Sequence, residues 1–190
     1  MMPADLAELL AGPPEVAAPR LLGAHLVSEI DTKTVRLRIT DVEAYKGSDD
    51  PASHAFRGRT ERNAAMFERP GTLYVYRSYG IHNCANTAAG PVGTGWGILI
   101  RGGEVIEGEG VVRARRRRSD ELTNGPGKLC EALGISIDHN GSYLFDSTSS
   151  IRMEWGEPPE IILSTPRVGI SKARERPWRF IAASAATSMG

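Results

Sequence analysis

Residues 25–46 constrain this chain more than any other stretch. HLVSEI and TVRLRITDVEAY each alternate apolar and polar side chains, the period of a half-buried strand, and Asp31-Thr32-Lys33 sits between them as a turn. The segment therefore predicts a β-hairpin whose apolar face needs a second layer. GTLYVY (71–76), WGILI (96–100), EIILS (160–164) and WRFIA (178–182) read as further strands. ADLAELLAG reads as a short helix with Gly12 just past its end, and PEVAAPRLLG as a second, broken by Pro19. Thr60 is placed to cap a short helix through RNAAMF. VVRARRRR is helical, and PGKLCEALG is a helix ended by Gly134. Hairpin strands outnumber β-α-β units, which predicts an α+β fold with a mainly antiparallel sheet.

The length of 190 residues suits one domain, 1–190, with a sizeable core. No apolar run approaches the ~20 residues of a membrane span. The acidic N-terminus MMPADLAELL lacks the basic region of a signal peptide. Cys84 and Cys130 are too few for a disulfide framework or a four-ligand zinc site. An intracellular, cytoplasmic and reduced protein is expected. Formal net charge is zero, yet residues 41–50 hold four acids and one lysine while 113–118 hold five arginines and no acid. Such an arginine run is either one basic stripe for a polyanion or a solvated helical face.

Aromatic residues make up only 6% of the chain, yet Tyr74, Tyr76 and Tyr79 fall within six positions. In an extended strand Leu73 and Val75 face one way, and Tyr74 and Tyr76 face the other. The tyrosine face is then either a second core layer or a wall open to a ligand. Tyr79 precedes Gly80, a turn signal, and a large ring at a turn tip contacts something beyond its own hairpin. Upstream, Glu43 ends an apolar strand, Tyr45 shares its face, and His54 follows a polar loop. Desolvation beside aromatic rings strengthens a carboxylate as a base.

These residues carry a resemblance. EAY-x8-H (Glu43 to His54), RN-x2-MF (Arg62 to Phe67), PGTLYVY (Pro70 to Tyr76), Tyr79-Gly80 and Asn86 are similar to the alkyladenine, or 3-methyladenine, DNA glycosylase family. LIR (Leu99 to Arg101), NGPGKLCEALGI (Asn124 to Ile135) and RVGI (Arg167 to Ile170) continue it in order, over roughly residues 20–182. The resemblance implies a single domain with a curved sheet flanked by helices and a protruding hairpin that enters DNA. It implies a monofunctional enzyme without a cofactor or metal, acting as a monomer on double-stranded DNA that carries a damaged purine, away from membranes. The base is flipped out and its N-glycosidic bond hydrolysed to leave an abasic site.

By the same resemblance Tyr79 is the wedge that fills the gap in the base stack, and Tyr45, His54, Tyr76 and Asn86 form the base pocket. Glu43 orients and deprotonates the water, and Arg101 holds that water or the adjacent phosphate. Asn86 discriminates against guanine through its exocyclic amino group, or else makes a strand-end hydrogen bond. His54 protonates the leaving group, orients the backbone or contacts the sugar–phosphate. His82 stands where some relatives have an aromatic or hydrophobic residue, and either supports the wedge or touches the DNA groove. Gly125, Gly127 and Lys128 form a phosphate nest or a tight turn that docks a helix. Two other functions remain open: a metal-dependent phosphoesterase using Asp41, Glu43, Asp49, Asp50 and His54, and a damage-binding protein without catalysis.

Overall fold

The architecture of the chain was taken from a computed structural model, which describes residues 3–117 and 120–183. The expected hairpin is present as β1 (His25–Ile30) and β2 (Lys33–Lys46), paired antiparallel from His25↔Arg38 to Ile30↔Lys33. Asp31 and Thr32 turn the chain with φ of 54° and 59°. Positive φ at both central residues matches the right-handed twist of the arms they join.

Around this hairpin the other strands assemble into one sheet. They are β3 (Leu73–Ser78), β4 (His82–Ala89), β5 (Trp96–Glu107), β6 (Ile151–Glu154), β7 (Ile161–Thr165) and β8 (Arg179–Ala183). The order is β3-β4-β5-β2-β1-β6, and every named strand pair is antiparallel. The long strand β2 leaves β1 after Arg38 and pairs instead with β8 over Asp41–Glu43, so the sheet forks there. On its other edge β2 stays with β5 from Arg36 to Lys46, with register shifts at Arg36/Leu37 and around Asp41. Bulges of this kind bend a strand and sharpen its twist, which curls the sheet. The fold is α+β with a curved antiparallel sheet, in line with the sequence.

The period of two divides the sheet into two faces. Leu73, Val75, Ala85, Ile98, Ile100, Val42 and Ala44 point to the main core, where they meet Leu6 and Leu10 of α1 (Pro3–Leu10). The short helix α2 (Pro14–Ala17) adds Ala17, and a 3₁₀ turn at Ala18–Leu21 follows it. Leu129, Cys130, Ala132 and Leu133 of α4 (Pro126–Leu133) close the same core. Tyr74, Tyr76, Cys84, Asn86, Leu99, Glu43 and Tyr45 occupy the opposite face by the same alternation.

Three expectations need correcting. RNAAMF forms only a 3₁₀ turn at Ala64–Phe67, and Thr60 Oγ1 accepts from the Asn63 N–H at 3.4 Å in the turn that leads into it. The Thr60 N–H donates in return to Asn63 Oδ1 at 2.6 Å, and Asn63 Nδ2 donates to the carbonyls of His54 and Gly58. The arginine run is neither a free stripe nor a wholly solvated face. In α3 (Glu109–Arg116) Arg113 pairs with Glu109 one turn back, Arg115 donates to the Ala132 carbonyl, and Arg116 pairs with Glu131. These last two contacts tie α3 to α4, and Arg118 lies outside the described residues. Strands β4 and β6 were not expected, and β4 contributes Cys84 and Asn86 to the site face.

Gly90, just after β4, sits at φ 74°, and a Cβ there would fall 2.3 Å from the Trp96 ring. Its N–H donates to the Leu10 carbonyl and so locks α1 to the sheet. Left-handed strain and overpacking together make Gly90→Ala destabilising by about 3 kcal/mol. A thermal melt should show a Tm lower by about 6–12 °C for a chain of this size. An unchanged Tm would mean that the turn can rearrange freely. Among the described residues no helix is long and apolar enough to cross a membrane.

Candidate functional site

One ladder of paired residues crosses five strands. Tyr74 pairs with Asn86, Asn86 with Leu99, Leu99 with Glu43, and Glu43 with Arg179. Directly paired residues point to the same side of a sheet, so one row of side chains runs from the tyrosines to the carboxylate. Above this row lies a cavity of about 620 Å³. Tyr45, His54, Tyr76, Asn86, Arg101 and Tyr79 all line it.

Glu43 lies directly behind the cavity wall with no exposed surface. Its Oε1 accepts a 2.7 Å hydrogen bond from the Val168 N–H, and its Oε2 accepts one of 2.7 Å from the Tyr45 hydroxyl. Arg101 Nη1 stands 3.3 Å from Oε1. Tyr45, Arg101 and Val168 each line the cavity, so the three groups covering the carboxylate are also its separation from the open space. Burial, followed by the negative charge of Glu43, raises the Tyr45 pKa far above the ordinary tyrosine value. That phenol therefore remains a donor to the carboxylate.

The bulge in β2 and β5 explains how Arg101 reaches this point. Asp41 pairs with Gly102 and Val42 with Ile100, which leaves Arg101 as an extra residue between them. Bulges re-aim the side chain they carry. Arg101 is turned toward both acids of the strand, with Nε 3.5 Å from Asp41. Arg179 takes both oxygens of Asp41 at 3.0 and 2.8 Å.

On the aromatic side, Tyr74 is buried in a small second cluster with Ala55, Ala65 and Met66. Burial pushes its pKa up to about 12. Tyr76 is half-buried, its ring 5.7 Å from that of Tyr74. The tyrosine face thus fulfils both readings at once: Tyr74 fills a core layer and Tyr76 opens to the cavity. His54 stands edge-on to Tyr76 at 4.4 Å, with Nδ1 3.2 Å from the Tyr74 hydroxyl. The residue is exposed overall, yet its ring is packed on the tyrosine side. That local desolvation, with the Arg62 charge, lowers its pKa from the usual histidine value. Asn86 is buried and donates to the Tyr74 carbonyl at 3.1 Å, while still lining the cavity.

Tyr79 is 92% exposed at the tip between β3 and β4, with Ile81 beside it at 74%. Its φ of 49° is uncommon for a residue with a side chain. The turn holds this ring out at the rim of the cavity, uncovered among the described residues.

His82 begins β4 and packs against α4, where a Cβ on Gly127 would come within 2.9 Å of it. Gly125 precedes α4 at φ 149°, and Lys128 donates to Glu121 and Asn124 at 2.8 and 3.0 Å. Through the His82–Gly127 contact α4 is docked against β4.

Three of the four acids of the phosphoesterase alternative, Asp41, Glu43 and Asp50, are paired with arginines. Asp41 is bound by Arg179, and Asp50 by Arg167. Among the described residues no group of three or more His, Cys, Asp or Glu is placed to hold a metal ion.

Sequence reasoning did not assign Val168, Asn63 or Arg167 to the site. Arg167 to Ile170 enter the sequence reading only as part of the resemblance, and Val168 to Lys172 form a wall of the cavity.

The family model for methylpurine-DNA glycosylase matches residues 8–186. The chain belongs to that family. It is a family of hydrolases that act on N-glycosyl bonds. The chain is 49% identical over 183 residues to a protein of Nocardia farcinica, covering 91% of this chain and 84% of that one. It is 49% identical over 175 residues to one of Rhodococcus jostii, covering 88% and 76%. A Mycobacterium tuberculosis protein is 45% identical over 182 residues, covering 92% and 87%. All three are named, provisionally, as 3-methyladenine DNA glycosylases. The resemblance read from the sequence and the match over residues 8–186 point to the same glycosylase family.

Proposed function

We propose that this chain, as one domain of residues 1–190, is a monofunctional glycosylase of base excision repair, working inside the cell on duplex DNA. It extrudes an alkylated or deaminated purine and hydrolyses the bond to C1′ of the deoxyribose. The observation that carries the reading is a buried carboxylate behind an aromatic-walled cavity whose mouth bears a fully exposed tyrosine.

Tyr79 enters the stack as the damaged nucleotide leaves, and its planar ring suits base pairs of any sequence. The purine lies between Tyr45 and the Tyr76–His54 pair, where stacking is worth ~1–3 kcal/mol and a cationic base gains a cation–π contribution. Asn86 faces the purine edge from the floor and disfavours guanine. With its lowered pKa, His54 meets the base at neutral pH as an uncharged ring. That suits stacking and hydrogen bonding better than proton donation.

A carboxylate offers about four acceptor sites. The Val168 N–H and the Tyr45 hydroxyl occupy two on Glu43, and Arg101 faces it as an ion-pair partner, which leaves acceptor capacity for water. Because Glu43 is covered in the free protein, the entering nucleotide has to part Tyr45 from the Val168 segment. Water then reaches the carboxylate, Arg101 steadies it, and Glu43 takes its proton as it attacks C1′. The same negative charge stabilises the oxocarbenium character of the sugar. His82 and α4, with Gly125, Gly127 and Lys128, back the hairpin against the DNA. A phosphate reaching Lys128 competes there with Glu121.

The test is base release in EDTA from duplexes with a single 3-methyladenine, hypoxanthine or 1,N6-ethenoadenine. An abasic product from at least one of them is expected. Binding without release would leave a damage-binding protein, and activity that returns only with added metal would favour the phosphoesterase.

A further inference from the structure

We propose that Arg167 and Asp50 are a positioning pair for Glu43, holding its hydrogen-bond partners in place without touching DNA. This rests on the reading of Glu43 given above. The two residues lie 117 positions apart and form an ion pair with no exposed side-chain surface. Arg167 binds both Asp50 oxygens, and its Nη1 also donates to the Ala44 carbonyl at 2.9 Å. Burial alone would raise the Asp50 pKa, but hydrogen bonds and charge from Arg167, with the Ala52 and Lys46 N–H groups, hold it below the ordinary value.

Besides its contacts with the Ala173 carbonyl and the Trp178 ring, this guanidinium is surrounded by groups that lead to Glu43. Ala44 is its neighbour in β2. Tyr45, whose hydroxyl donates to Oε2, lies under the guanidinium at 4.6 Å from the ring centre. Val168, whose N–H donates to Oε1, is the next residue after Arg167. Asp50 in turn accepts from the Lys46 and Ala52 N–H groups, and its carbonyl accepts from Ser53, the residue before His54. One ion pair thereby fastens the 50–54 wall and the 167–173 wall to the strand that carries the carboxylate.

Stability does not account for the pair. A buried ion pair gains little over apolar side chains of equal volume, because both charges lose their water. Here Arg167 Nε is also buried without a hydrogen-bond partner among the described residues. What apolar side chains would not supply is a fork that fixes a carbonyl, a ring and the following peptide together.

The experiment compares Asp50→Asn and Arg167→Lys with the parent in single-turnover base release at saturating enzyme, alongside binding of the same duplex and a thermal melt. Lysine retains the charge but not the fork, so Arg167→Lys carries the test if Asp50→Asn melts below the assay temperature. The expected result is a rate constant lower by about 100-fold, the cost of a displacement near 1 Å at a reacting group. Duplex affinity should stay within about threefold, since only the chemical step is altered. A purely structural role lowers Tm and the active fraction but leaves the rate constant of the folded protein at the parent value, and that outcome overturns the proposal. An equal loss of affinity and rate overturns it as well. Parent and Glu43→Gln run in the same assay keep the two ideas apart. A parent that releases no base refutes the glycosylase reading. An active parent, a silent Glu43→Gln and a fast Asp50→Asn overturn only the positioning role.

Discussion

Glu43→Gln is expected to bind lesion-bearing duplex as the parent does and to release almost no base. The substitution keeps the shape of the side chain and one acceptor oxygen for the Val168 N–H. It removes the negative charge and the second acceptor, which the Tyr45 hydroxyl now uses. Two contributions disappear together: proton abstraction from water, worth roughly 10²–10⁴-fold, and the charge facing the cationic sugar. DNA affinity depends chiefly on phosphate contacts and the wedge, and Glu43 makes neither, being fully buried. Single-turnover kinetics with enzyme in excess isolates the chemical step, and fluorescence anisotropy on the same duplex reports binding. A melting curve checks the fold, since a mismatched buried polar group costs about 1–3 kcal/mol. Excision by this variant within tenfold of the parent would remove Glu43 from the mechanism.

The resemblance carried by EAY-x8-H made this residue conspicuous, and alternation placed it beside the aromatic residues. Glu43 and Tyr45 had to share a face of β2, Tyr74 and Tyr76 a face of β3, and the sheet brings those faces onto one side. The exposed ring of Tyr79 followed from Gly80 and the strand before it. Other parts had no local signature. β4, HNCANTAA, is built of small and weakly strand-forming residues because it is buried between two strands, so neither alternation nor β-branched residues reveal it. The bulge that turns Arg101 toward Glu43 depends on pairing between β2 and β5, which sequence spacing does not encode. Arg167 and Asp50 are ordinary surface residues by type, and only the closure of two distant loops makes them a buried pair. Arginines 115 and 116 misdirect in the opposite sense. They look like a nucleic-acid stripe, yet they serve the packing of α3 on α4.

Tyr79→Ala separates the role of the wedge from that of the pocket, because its effect should depend on the substrate strand. In duplex DNA a flipped nucleotide leaves a hole in the stack, and opening it costs a few kcal/mol. A ring filling that hole returns ~1–3 kcal/mol, which corresponds to about 5- to 150-fold in the population of the extruded state. In a single strand there is no stack to refill, so the same substitution has little to remove. Excision from duplex should therefore fall by about 5- to 150-fold while excision from single-stranded oligonucleotide changes by less than about threefold. The fold is indifferent to the change, since the side chain is 92% exposed and buries nothing. A lesion placed opposite a mismatch costs less to extrude, so the loss there should be smaller than opposite a normal partner. Tyr79→Trp, which keeps a stacking surface, should recover most of the duplex rate. Equal losses on single and double strands would mean that Tyr79 acts on the bound base itself, and the hairpin would then be part of the pocket wall rather than a wedge in the helix.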